Sequence, residues 1–326
     1  MELGIWIGDF ILIQITGRMK RILTVLAGIF LFLAMPGPIL GQERPADLRP
    51  ATDIFKNFSG YKDDDGKYRF EGEGYNIVIT PHPRRAIAAN YIEVADGLKG
   101  DQKIITNTLN NKPLENYVTD ESLLKEHPPI YGRHYLIMAK DSTILDVSIA
   151  RYEAFNTFFV NEMVNSIFYD GIYAPLLVDT KNDIIDFAGR KIKFEGDCYW
   201  LKPHEVKCTH TGEVTWHLFN SMADAEAFKQ MEMWMLRKEM KRKIRDTELV
   251  KISFEKVPVT ANRYLFESNE LSLIYTENRL VNAYYITAEV RGRYLYCRLI
   301  FSDIATRDAD PETGLPPLIA KFMKFR

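Results

Sequence analysis

Phe70-Glu71-Gly72-Glu73-Gly74-Tyr75 and Phe194-Glu195-Gly196-Asp197-Cys198-Tyr199 share the pattern Phe-Glu-Gly-acid-x-Tyr within one chain. The surrounding sequence repeats too. Upstream, Asp53-Ile54-Phe55-Lys56-Asn57-Phe58-Ser59-Gly60 returns, one residue shorter, as Asp183-Ile184-Ile185-Asp186-Phe187-Ala188-Gly189. Downstream, Pro81-His82 is matched by Pro203-His204. Three matches in one order point to a duplicated unit. The repeat divides the chain into a first domain at 47–169, a linker at 170–182 and a second domain at 183–326.

Within each copy, apolar runs and turn residues predict the same succession of elements. Tyr75–Thr80 and Ala86–Val94 read as strands in the first copy, and Arg190–Leu201 and Glu205–Phe219 in the second. Tyr61-Lys62-Asp63-Asp64-Asp65-Gly66 reads as the tip of a hairpin inserted in the first copy. Tyr135–Met138 and Thr143–Ala150 precede a helix near Glu153–Phe168, where Phe155, Phe159, Val160, Met163, Val164 and Ile167 recur at helical spacing. In the second copy Ala283–Arg291 and Arg293–Phe301 precede a final helix starting near Leu315, with Pro316 and Pro317 suited to its first turn. A long helix at 222–245 is the main insertion of that copy. Two tandem copies of a small α+β domain, each an antiparallel sheet packed by helices, is the expected fold. This order of elements resembles the PsbP/Mog1-type fold, a likeness of order alone that no motif carries.

Ahead of the repeats, Met19-Lys20-Arg21 is followed by an apolar run of 14 residues, Ile22–Met35, and then Pro36-Gly37-Pro38-Ile39-Leu40-Gly41-Gln42. A basic start, a short apolar run and a small-residue tail make a secretory signal peptide. The run is shorter than the roughly 20 residues of a membrane span. Residues 1–41 are therefore expected to be removed, with the true start at Met19 and the 18 residues before it an upstream start artefact. The mature chain then carries 39 basic and 42 acidic residues, a balance that offers no electrostatic case for nucleic acid or an anionic membrane. No stable membrane span remains after processing.

Export bears on the cysteines, because the compartment outside the cytoplasm is oxidising. Cys198 and Cys208 flank Pro203, and a three-residue turn Lys202–His204 pairs Leu201 with Glu205 and Cys198 with Cys208. Opposed residues on antiparallel strands lie close to disulfide reach. Cys297 is left in an apolar strand as a free thiol. A rival metal reading takes Cys198, Cys208, His210 and His217 as a Cys2His2 zinc set, with a Thr211-Gly212 turn bringing His217 to the face of Cys208. Its spacing follows no zinc pattern, so the disulfide is the expected pairing and no metal or cofactor is assigned.

Other motifs read as structure. Met231 and Met233, two apart on a helix, point about 200° from one another and cannot chelate one ion. Met231, Trp234 and Met235 share a face, as a core stripe would. The basic run 237–245 reads as a solvated helix face. Asp63-Asp64-Asp65-Gly66 lacks the oxygen ligands an EF-hand would need at Tyr61 and Gly72. No Gly-x-Ser-x-Gly turn and no His-Glu-x-x-His helix is present, and no catalytic residue is assigned. The sequence thus suggests an exported, non-catalytic envelope or secreted protein that binds a protein or small-molecule partner, in a groove between the repeats. The alternative is a metal-dependent or hydrolytic enzyme of the cell envelope without a recognisable motif.

Overall fold

A computed structural model describes residues 44–326, apart from 86–92, 95–102, 105–116, 121–130, 140–142, 152–154, 173, 180–181, 195–197, 210–211, 240–242, 269–278 and 303–308. The signal segment, most of the expected strand Ala86–Val94 and His210 fall outside the described residues.

The first sheet contains β1 (Ser59–Lys62), β2 (Tyr68–Gly72), β3 (Tyr75–Arg85), β4 (Lys103–Ile104), β5 (Tyr117–Asp120), β6 (Tyr131–Met138) and β7 (Thr143–Arg151), in the order β1-β2-β3-β7-β6-β5-β4. A one-turn helix α1 (Ala51–Ile54) precedes it and α2 (Thr157–Asp170) follows it. Alternation on the strands puts Phe70, Ile77, Ile79, Ile137, Val147 and Ile149 on one face. There they meet Phe159, Val160, Met163, Val164 and Ile167, the helical stripe visible in the sequence. Each such side chain contributes roughly 1.5–3 kcal/mol on burial, so this contact is the main support of the first half. The ends of α2 follow from local chemistry. Asn156 caps it by accepting from the Phe159 N–H at 3.1 Å, and Gly171 at φ 79° ends it.

The second half opens with a hairpin, β8 (Ile184–Phe187) and β9 (Arg190–Lys193). It continues with β10 (Cys198–Lys202), β11 (Glu205–Cys208), β12 (Gly212–Phe219), α3 (Met222–Glu239), β13 (Ile244–Phe254), β14 (Val257–Ser268), β15 (Arg279–Val290) and β16 (Arg293–Ser302). The chain closes with α4 (Pro317–Ala320) and β17 (Met323–Phe325). The eight-stranded sheet runs β10-β11-β12-β16-β15-β14-β13-β17. One face, with Val214, Trp216, Leu299 and Phe254, packs under the β8–β9 hairpin and α4. The other, with Phe219, Tyr285 and Tyr296, packs under α3. Both large sheets therefore follow one path: a three-strand meander, the last long strand beside its third member, then back toward earlier strands. Among the described residues no helix is long and apolar enough to cross a membrane.

Several sequence expectations change in detail. The motif matches do not fall on equivalent positions: Asp53-Ile54 lies in α1 but Asp183-Ile184 leads into strand β8, and Phe70 lies in β2 whereas Phe194 follows β9. His82 lies within β3 and His204 in the β10–β11 turn. The expected long helix ends its described course at Glu239, and Ile244-Arg245 of the basic run already belong to β13. Its buried stripe is Ala225, Lys229 and Met233 at four-residue spacing, and Met231, Trp234 and Met235 are only partly buried. The terminal helix is a single turn, and the last residues add β17 to the edge of β13.

Candidate functional site

Cys198 and Cys208 are disulfide-bonded directly across β10 and β11. The turn is tighter than expected: Lys202 faces Glu205, with a bulge between Trp200 and Lys202. The bulge absorbs one residue, so the cysteines stay opposed. At the next turn Cys208 faces Gly212, which leaves three residues, 209–211, between them. That pairing puts Val206 opposite Val214, three residues from His217, and sends His217 to the other face, since any odd shift of register flips every side chain. The cysteines thus share neither a free thiolate nor a face with His217. Cys297 is buried, and its thiol is pushed well up by burial, which makes it inert.

The chemistry instead gathers where β12 lies against β2. Phe70 on β2 faces its own core, so Glu71 points from the back of the first sheet. It meets His204 from the β10–β11 turn and His217 from β12, with one potential ligand atom from each all within 4.8 Å of one another. His204 is only 2% exposed, and among the described residues its buried Nδ1 has no hydrogen-bond partner. Its ring stands edge-on to Trp216 at 5.7 Å and lies 5.4 Å from that of His217. Phe228 at 4.9 Å and Tyr296 at 6.2 Å flank His217. Burial pulls His204 down to about 4 and His217 well below its usual range, so both imidazoles are neutral at neutral pH. Burial pushes the Glu71 carboxyl up, opposed by the charge of Lys202.

Around this triad the sheet face beneath α3 is polar. Arg298 on β16 donates to Glu213 and to Glu232 of α3, each at 3.0 Å, and to Thr215 at 3.2 Å. Burial, then the nearby Glu213 charge, raises Glu205 to about 7.

A second joint lies two residues beyond Glu71, at Glu73. Glu73 and Gly74 form the β2–β3 turn with φ 53° and 74°, the backbone of a type I′ hairpin. The Glu73 carboxylate accepts from Asn57 Nδ2 and from the Asn220 N–H at 2.8 Å, while its own N–H donates to Leu218 O at 3.3 Å. Asn57 and Glu73 belong to the first half and Leu218 and Asn220 to the second, so these bonds tie the halves together.

The sequence picked out His217 for a different partnership, and showed Glu71 and His204 only as members of repeated motifs. No local signal joins them. An apolar pocket between α2 and the first sheet, lined by Phe55, Phe70, Ile77, Ile79, Ile167, Ile172 and Leu176, offers no polar group to orient a substrate.

No known protein family and no curated protein matches the chain. Among solved structures it is similar to the apo structure of immunity protein TplEi of a T6SS from Pseudomonas aeruginosa, at 10% identity and TM-score 0.27, covering 82% of this chain and 97% of that one. It is also similar to the di-domain ARO/CYC StfQ from the steffimycin biosynthetic pathway, at 6% identity and TM-score 0.13, covering 76% and 73%. At those scores neither likeness carries an argument.

Proposed function

We propose that the chain is an exported, non-catalytic binding protein, and that its partner is a protein segment pairing with the open edge of β13. The observation that carries this reading is that edge. Among the described residues, β13 has β14 on one side, and on the other only β17, which covers Ile252–Phe254. The edge already accepts one strand, and among the described residues no strand pairs with 244–251 on that side, which leaves room to continue the pairing as β-augmentation requires. Arg245 and Glu248 are tied back to Glu267 and Arg263, so they stay on the sheet. Leu249 stands 69% exposed beside them, an apolar contact for a partner's side chain. The disulfide fits an oxidising compartment and supports export. We take the two large sheets as copies of one ancestral unit, a reading supported by their common strand order rather than by the short motifs.

The test is photo-crosslinking in cells from Thr247, beside Leu249. A discrete protein adduct is expected that disappears in Leu249→Asp and is not formed from a control position at Lys191. Equal capture from both positions, or none from Thr247, removes the edge as the docking surface. The hydrolytic alternative is favoured by Glu205, held near pKa 7 close to a possible metal site; it requires substrate turnover that zinc restores to stripped protein and Glu205→Gln abolishes.

A further inference from the structure

We propose that Glu71, His204 and His217 form a divalent transition-metal site of zinc type that clips the second sheet to the back of the first. Two imidazoles and one carboxylate are the borderline nitrogen and oxygen donors such ions prefer, whereas calcium and magnesium take shells of oxygen. The three donors already converge within 4.8 Å. Ligand atoms around a tetrahedral zinc ion with bonds of ~2.0–2.2 Å lie roughly 3.4 Å apart, so binding asks only for a short inward movement of side chains.

A second observation points to a ligand. The Nδ1 of His204 is buried with no partner among the described residues, although a buried polar atom normally has one. Phe228 and Tyr296 restrict the ring of His217, which limits the ordering needed on binding. The three side chains come from both sheets, and the metal would therefore act between them, next to the Glu73–Leu218 backbone bond. Three protein ligands leave a fourth position to water. Lys202 and Arg69, whose charges reach Glu71, oppose a cation there.

The test uses the processed chain, stripped with a chelator and titrated with zinc and, separately, cobalt(II). One equivalent of each is expected to bind, the cobalt form with visible absorption bands of a low-coordinate nitrogen–oxygen site. A large excess of calcium should leave those bands in place. Glu71→Gln and His217→Gln should each weaken zinc at least tenfold, Lys202→Ala should tighten it, and His134→Gln should leave it unchanged. Zinc should also slow hydrogen exchange at the Glu73 amide in the wild-type protein. Absence of a stoichiometric cobalt spectrum, a result that needs no variant, overturns the site. So does unchanged zinc affinity in folded Glu71→Gln and His217→Gln. Tight binding with no slowing at Glu73 overturns the clip.

Discussion

Replacing Glu73 by alanine should destabilise the protein more in mild acid than at neutral pH. The carboxylate accepts from Asn57 Nδ2 and from the Asn220 N–H, in a residue 6% exposed. Alanine removes both bonds, although the Asn57 amide keeps a 3.3 Å bond to Asn220 Oδ1; a buried unpaired donor costs about 1–3 kcal/mol, so the cost for two is roughly 2–6 kcal/mol. Burial nevertheless outweighs these hydrogen bonds and raises the carboxyl to about 6 from an ordinary 4.5. An acid whose folded pKa is raised binds its proton more tightly when folded. Its contribution is therefore complete below pH 4.5 and falls away as the pH rises through 6. At 1.36 kcal/mol per unit, about 2 kcal/mol is lost across that window. The penalty of Glu73→Ala should accordingly shrink by about 2 kcal/mol between pH 4.5 and 7.5. Glu73→Gly makes the same hydrogen-bond loss but suits the φ of 53°, and should be about 1 kcal/mol more stable than the alanine variant at every pH. Urea unfolding of the three proteins across this range, by far-UV circular dichroism, measures both differences. A penalty that is flat or grows toward pH 7.5, or a glycine variant no better than alanine, refutes the reasoning.

Two other measurements probe neighbouring features. Replacing Cys198 and Cys208 together by serine opens a loop of sequence separation 10 and should lower the unfolding free energy by about 2–3 kcal/mol; a thiol assay of the denatured, unreduced wild type should find one free thiol, that of Cys297. His204, with its folded pKa lowered to about 4 from 6.5, supports stability above pH 6.5 and loses it as the pH falls toward 4. In chelator-treated protein His204→Gln should remove that loss, seen as a urea midpoint less sensitive to pH between 7 and 4.5.

What could be read from the sequence depended on how far the deciding contact reached. The α2 helix was legible because its stripe, from Phe159 to Ile167, fits one face at 3.6-residue spacing and needs only the sheet just before it. The Cys198–Cys208 pair was legible for a narrower reason. Either a three-residue turn or the tighter turn with a bulge keeps the two cysteines opposed, so an error in the turn left the prediction intact. His217 had no such protection: with Cys208 facing Gly212 the register moves by three residues, an odd number, and His217 falls on the opposite face. The repeat shows the same limit from the other side. Short pairs such as Pro-His recur in different settings, within β3 at Pro81-His82 and in the β10–β11 turn at Pro203-His204, while the strand order shared by the two sheets is a pattern of distant pairings. Glu71 and His204 are separated in the chain by the rest of the first sheet and α2, and only the packing of β12 against β2 brings them together. Phe70 points into the first core, so Glu71 leaves it, whereas Trp216 points under the β8–β9 hairpin, so His217 faces α3 between Phe228 and Tyr296. The triad is thus a consequence of two strand alternations, on β2 and on β12, set by Phe70 and Trp216. Substituting either aromatic anchor should disturb the site as surely as removing one of its ligands.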